Sequence, residues 1–206
     1  SFLTLRDGTK VWINSGTEVR FPVNMEGKER SIYVDGEIYI EVAKDKERPF
    51  YVHTSGFDVR VYGTKFNVTS YKADKEKSVV LVEGSVSGCS KEETKEKEAK
   101  EIFLHPDQMY HTTNRGPMIT HVNALQYITW KDGIWQFTSE SLESIALRLS
   151  RYYGVDIHCD EKTAVKSCTG KLILFDDVDK TLRIIEEIFG VRYETNQNEI
   201  IISMNP

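Results

Sequence analysis

The sequence predicts a mainly β chain that continues into an α+β region. It reads as a jelly-roll-like or stacked-sheet β domain over residues 1–121, a linker with a short helix over 122–133, and a small two-unit βαβ domain over 134–206. Three observations carry this. Short apolar-alternating runs fill the first 120 or so residues, with Gly, Asp, Asn or charged turns between them. No convincing long helix appears among them. After residue 121, two segments place apolar residues at helical spacing between strand-like runs.

Taken in order, "TKVWIN", "TEVRFPV", "RSIYVDGEIYIEVA", "FYVHT", "FDVRVYG", "KFNVTSY", "SVVLVEGSVSG" and "EIFLHPDQMYHTT" read as strands. Residues 91–101, almost all charged with both signs mixed, read as a solvated excursion between two of them. "NALQYITWKDG" reads as a short helix closed by Gly133, and "IWQF" as a strand. The next helix carries Leu142, Ile145, Ala146, Leu149 and Tyr153 on one face, with Ser139 or Ser141 as N-cap and Gly154 as its stop. "VDIHC" and "TGKLILF" follow as strands. A second helix presents Val178, Leu182, Ile185, Ile188 and Phe189, and "VRYET" and "EIIISM" close as a hairpin around "NQN". The Gly-Val steps at Gly154-Val155 and Gly190-Val191 lie 36 positions apart, so the region reads as two strand–helix–strand units on one sheet.

Composition narrows the function. A net charge of −5 argues against nucleic acid as a partner, because phosphates call for a basic footprint. No apolar run reaches the length of a membrane span, and no leader is visible at Ser1. The strand pattern begins almost at once, so a region of a longer protein is expected. Cys159 and Cys168 end one predicted strand and begin the next. They could form a disulfide in an oxidising compartment or stand as two free thiols; Cys89 has no evident partner. No CxxC occurs, and His53, His105, His111, His121 and His158 show no metal-ligand spacing, so no metal and no cofactor are expected. Nucleophile-elbow, phosphate-loop and dinucleotide motifs are missing as well, and an enzyme is not expected. Trp12, Trp130 and Trp135 could stack on sugars, which keeps a glycan-binding jelly roll as an alternative, but packing is the plainer role.

One stretch, "FDVRVYGTKFNVTSY", loses its rhythm. Phe57, Val59 and Val61 fall on odd positions, Phe66 and Val68 on even ones, and the slip is at Gly63-Thr64. A β-bulge or a corner explains it, with Gly as the usual occupant. The same dipeptide could also support self-cleavage by an N-to-O acyl shift, in which the Thr64 hydroxyl attacks the Gly63 carbonyl and water cleaves the ester.

"LRDGTKVWIN", "GEIYIEVAKDKERPFYV", "VRVYGTKFNV", "VVLVEGSVS", "LHPDQ" and "WKDGIWQF" together resemble the FecR-like anti-sigma factors, in order and approximate spacing, over essentially the whole chain. The family commonly has "LPDG" where Arg6 precedes Asp7-Gly8, and "PGQ" where Pro106-Asp107-Gln108 stands here. Residues after 134 resemble the C-terminal domain of the Bacteroidetes branch, which is similar to the short N-terminal domain of secretins and TonB-dependent transducers. The resemblance implies the periplasmic region of a single-pass inner-membrane protein. An outer-membrane TonB-dependent transducer would present its periplasmic signalling domain to residues 134–206. Regulated proteolysis would then free an extracytoplasmic-function sigma factor held by a cytoplasmic segment outside this chain. Some members cleave themselves at the Gly-Thr that corresponds to Gly63-Thr64. Partner contact through a strand edge or a helix face within 134–206 is expected.

Overall fold

A computed structural model describes residues 1–90, 101–113, 116–196 and 199–205. The charged excursion at 91–100 and the turn positions 197–198 lie outside the described residues. The chain divides into two compact units, Ser1–Lys131 and Asp132–Pro206, and each is described by itself. The expected fold class holds: β in the first unit, α with β in the second.

The described residues of the first unit form twelve strands: β1 (Phe2–Thr4), β2 (Lys10–Ile13), β3 (Glu18–Arg20), β4 (Arg30–Glu41), β5 (Phe50–His53), β6 (Phe57–Val61), β7 (Lys65–Ser70), β8 (Ser78–Glu83), β9 (Val86–Ser90), β10 (Glu101–Leu104), β11 (Gln108–His111) and β12 (Met118–His121). They form one sheet that rolls over on itself through the twelve-residue β4. The first half of β4 pairs with β3 and, in parallel, with β5. Its second half pairs with β2 and β7. One layer thus runs β1-β2-β4-β7-β8-β11-β12 and the other β3-β4-β5-β6-β9-β10. The bend falls at Gly36, where a Cβ would lie 2.4 Å from the Thr17 hydroxyl oxygen.

Between the layers lies the core. Ile32, Phe50, Val52, Phe57 and Val59 meet Val11, Ile38, Ile40, Phe66, Val68 and Leu81 there, all essentially out of water. Burying a side chain of this kind stabilises by roughly 1.5–3 kcal/mol. Two segments read as single strands are each two. The "SVVLVEGSVSG" run breaks at Gly84, where the chain passes from one layer to the other, and "EIFLHPDQMYHTT" breaks at Asp107, which has φ 61°. A continuous strand would remain in one layer, and apolar alternation alone does not say which layer it occupies.

A 3₁₀ helix, Ala124–Asp132, stands where the short helix is expected. The Trp130 indole N–H donates to Asn67 Oδ1 (3.1 Å), whose amide donates to the Glu37 carboxylate (3.0 Å). Asn14 donates to the same carboxylate (2.7 Å). Lys131 lies over the Trp12 ring at 5.9 Å. The segment is therefore pinned to the β2–β4–β7 face by a polar relay.

In the second unit, β13 (Ile134–Ser141) leads to α1 (Leu142–Tyr153), β14 (Asp156–Cys159), the short α2 (Glu161–Ala164), β15 (Ser167–Ile173), α3 (Val178–Phe189), β16 (Val191–Asn196) and β17 (Glu199–Met204). Ser141, not Ser139, caps α1. Its hydroxyl accepts from the Ser144 N–H, and Gly154 ends the helix at φ 68°. Ser139, with φ 51°, instead belongs to a bulge in which Thr138 and Ser139 stand opposite Thr169. The two strand–helix–strand units do not share one sheet. Their first strands pair antiparallel as β13–β15, and their last strands flank β17 in the order β14-β17-β16. Ile188, expected on the apolar face of α3, is 48% exposed; Thr181 is buried beside Leu182, Ile185 and Phe189. Thr181 holds its place because its hydroxyl meets the Tyr153 hydroxyl at 2.6 Å.

Candidate functional site

The Gly63-Thr64 slip is a corner between layers. β6 ends at Val61 in one layer and β7 begins at Lys65 in the other. A bulge is present too, but its extra residue is Val82 on β8, where Lys65 and Phe66 face Glu83 and Leu81. Gly63 sits at φ 145°, and a Cβ there would lie 2.9 Å from the Lys44 Cα. Both the angle and the close backbone exclude a side chain. Gly84 closes the other side: a Cβ on it would come within 3.0 Å of Thr64 Oγ1 and 3.3 Å of the Gly63 carbonyl oxygen.

Backbone bonds lock this corner to the loop after β4. The Val42 N–H donates to the Thr64 carbonyl and the Asp45 N–H to the Tyr62 carbonyl, each at 3.0 Å. Thr64 is buried, and its hydroxyl donates to the Ser85 carbonyl at 2.8 Å. A carbonyl can accept that hydrogen bond but cannot hold the proton, so the corner as built fixes the hydroxyl without activating it. Outside the corner, Lys65 and Glu83 pair at 2.7 Å; each raises or lowers the other's pKa in the sense that favours both charges.

Behind the same loop is a buried ion pair that sequence reasoning missed. Arg30 Nη1 donates to Asp7 Oδ2 at 2.8 Å, with both side chains almost wholly out of water. The guanidinium also donates to the carbonyls of Ala43 (3.0 Å) and Arg48 (2.9 Å). Asp7 accepts in addition from the Thr9 N–H and hydroxyl, and Thr9 Oγ1 accepts from the Ala43 N–H. Asp45 accepts from the backbone N–H of Glu47 and Arg48 and from Arg48 Nε, which holds its carboxyl below the usual range. The segments "RDGT", "VAKDKER", "YGTK" and "EGS" thus meet at one end of the first unit. Nothing in the alternation of "KERSIYV" marks Arg30 as buried. The signal is a charge immediately before a strongly apolar strand, with Asp7-Gly8 far away in the chain.

The tryptophans are engaged. Trp12 packs between Phe2 and Tyr39, with centroid distances of 4.8 and 5.1 Å. Trp135 is buried under Arg148, 4.5 Å from its ring, and against Tyr152. Trp130 is held by its indole N–H, and both it and Trp12 are half-buried. Cys159 and Cys168 are free thiols on different sheets, so the disulfide weighed from their order in the chain is not formed. Burial pushes the Cys159 thiol up to about 11, with Asp160 and Glu143 adding to it, and burial also raises Cys168. Neither is an activated nucleophile. His158 lies between Glu199 (3.2 Å) and Asp156 (3.8 Å) on exposed positions of β14 and β17; sequence spacing could not show this, because Glu199 arrives across a parallel pair. The two carboxylates face different nitrogens of one ring.

Within the second unit, β13 and β15 pair only with each other, and β14 and β16 each pair only with β17, among the described residues. Exposed apolar side chains accompany these edges: Val165 (77%), Ile173 (60%) and Phe175 (37%) around β15, with Leu147 and Ile188 on the helices.

Two family models match the chain: "FecR protein" over residues 2–87 and "FecR, C-terminal" over residues 134–202. Two crystal structures of a proposed anti-sigma factor from Parabacteroides distasonis, at 1.65 and 2.50 Å resolution, are similar to it. Each is 25% identical and covered over 100% of this chain, with TM-scores of 0.87 and 0.86, and over 95% and 94% of its own length. No curated protein matches the chain.

Proposed function

This chain belongs to the FecR family of anti-sigma factors, and on that premise we propose that it is the periplasmic signal-receiving region of a transmembrane member. In this reading the second unit receives the periplasmic signalling domain of a TonB-dependent outer-membrane transducer. The signal passes inward, regulatory proteases act, and an extracytoplasmic-function sigma factor is released from a cytoplasmic segment. No described helix is long and apolar enough to cross a membrane, so the anchor in this reading is a separate segment.

The observation that carries the proposal is the pairing of the second unit. Its five strands stop at sheets of two and three, which leaves β13, β14, β15 and β16 each with an edge no described strand takes. An open edge presents a row of N–H and C=O groups that another chain can satisfy. Titration of the whole chain with such signalling domains tests this. Binding that is lost in Ile173→Glu, which puts a charge beside the β15 edge, is the expected result. Failure to bind any of them overturns the relay.

A second reading concerns the corner. In this reading the Gly63 backbone at φ 145° supplies the unusual angle for an acyl shift, and the Thr64 hydroxyl proton passes through water to the departing amine, since the Ser85 carbonyl cannot take it. The hydroxyl oxygen would bond to the Gly63 carbonyl carbon as the peptide C–N bond breaks, freeing the Thr64 amine. Water would then cleave the ester to a Gly63 carboxylate. Denaturing mass spectrometry should show a fragment that begins at Thr64. An intact chain after days at neutral pH excludes it.

A further inference from the structure

The outer face of the β3–β4–β5 layer holds a cleft that neither the corner nor the second unit uses. Its volume is about 190 Å³, and Glu18, Arg20, Tyr33, Asp35, His53 and Lys72 line it, with buried Val34 at its floor. That is smaller than the roughly 300–1,000 Å³ of pockets for drug-sized ligands, and fits a single small ring.

Two of its lining rings, Tyr33 and His53, stack on one another, and Tyr51 continues the stack outside it. Tyr33 and His53 are register partners on the parallel β4–β5 pair, with ring centroids 4.8 Å apart at 27°. Tyr51, two residues before His53, lies 5.9 Å from it at 3°. Asp58 on β6 fixes the imidazole from behind by accepting from Nδ1 at 2.9 Å. Tyr33 is nonetheless 51% exposed, whereas its chain neighbours Ile32 and Val34 are buried. A large ring held in place by stacking loses little freedom when a ligand lands on it.

Charge decides what kind of ligand suits the cleft. Arg20 pairs with Glu18 at 3.2 Å. Lys72 pairs with Asp35 at 3.4 Å, and its backbone N–H also donates to that carboxylate at 2.8 Å. Every cation in the lining has its own carboxylate. An anion would meet Glu18 and Asp35, a cation would meet Arg20 and Lys72, and an apolar ligand would strip water from four charges. A neutral ring with hydroxyls at its rim and C–H bonds on its face avoids all three costs. Its C–H face suits the negative face of an aromatic ring, and its hydroxyls suit alternating donors and acceptors.

We propose that this cleft binds a neutral pyranose sugar, with Tyr33 as the stacking platform and the Glu18–Arg20 and Asp35–Lys72 pairs as hydroxyl partners. The site is independent of the relay reading, since the sugar occupies the first unit whether or not a transducer binds the second. The test follows backbone amide NMR shifts of the whole chain during titration with the methyl glycosides of glucose, galactose and mannose. Saturable shifts at residues 33–35, 53–55 and 72 are expected for at least one of them. Tyr33→Ala should weaken that binding by about tenfold or more, while Tyr62→Ala, at another exposed tyrosine, should leave it unchanged. Either an absence of shifts at those amides with all three glycosides, or equal affinity in Tyr33→Ala with its spectrum otherwise intact, overturns the proposal.

Discussion

The first unit encloses an ion pair and a hydrogen-bonded cluster, while the second leaves backbone edges open. In Ser1–Lys131, Arg30 is enclosed with Asp7 and two carbonyls, and Asn14, Asn67 and Trp130 converge on or near Glu37. In Asp132–Pro206, neither sheet exceeds three strands, and apolar side chains such as Ile173 stand beside the unpaired edges. Buried groups paired in this way fix one arrangement of the backbone around them. Open edges are the reverse, and stability is lost more readily there. The segments that most clearly mark the family are thus the joinery of the first unit.

Hydrogen exchange resolved by peptide can break this contrast. The largest effect is expected for Arg30→Met, which strands the buried Asp7 carboxylate. It should cost about 3–5 kcal/mol and open the first unit while the second keeps its protection. Equal loss in both units would show that the two are not separately held. Next comes Gly63→Ala, which meets the Lys44 backbone and an unfavourable φ. A loss of about 2–3 kcal/mol, again confined to the first unit, is expected from chemical denaturation.

The second unit has a pH signature of its own. Burial raises the Cys159 thiol to about 11, above its ordinary value of 9.0. The stability this represents is complete below about pH 9 and is lost as pH rises toward 11, because the unfolded chain ionises first. Cys159→Val should remove that portion of alkaline destabilisation, on the order of 1–2 kcal/mol, as read from melting curves of variant and parent across this window. The smallest effect is at a helix cap. Ser141→Ala frees the Ser144 N–H and should cost about 1 kcal/mol, seen as faster exchange in α1 alone.

Much of the fold is legible from local chemistry. The helix at Leu142–Tyr153 is written in Leu142, Ile145, Ala146 and Leu149, with a Gly after it, and those side chains are the ones buried. The strands of the first unit show their inner faces through residues such as Phe57, Val59 and Val61. What local chemistry does not contain is which layer a strand joins. That is why Gly84 and Asp107 divide runs that read as continuous, and why β13 and β14 part into different sheets. Arg30 is hidden for the same reason, since its burial depends on Asp7, Ala43 and Arg48, none of them neighbours in the chain. The Gly63-Thr64 slip was readable as a corner or bulge, but its tightness comes from Lys44 and Gly84. The cleft at Tyr33 needs the β4–β5 register, which is parallel and therefore invisible to any hairpin signal.

The place of β17 sets a timetable for the second unit. It is the final strand of that unit, yet it occupies the middle of the three-stranded sheet. Ribosomes deliver a chain from its N-terminus, so β14 and β16 emerge without the strand that joins them. Until Glu199–Met204 arrives, Ile157 has no Ile200 and Tyr193 no Ile202 beside it. Assembly of this sheet is thus postponed to a single late event. A protease that clipped those six residues would take away the keystone rather than an ornament, and would erase the sheet in one cut.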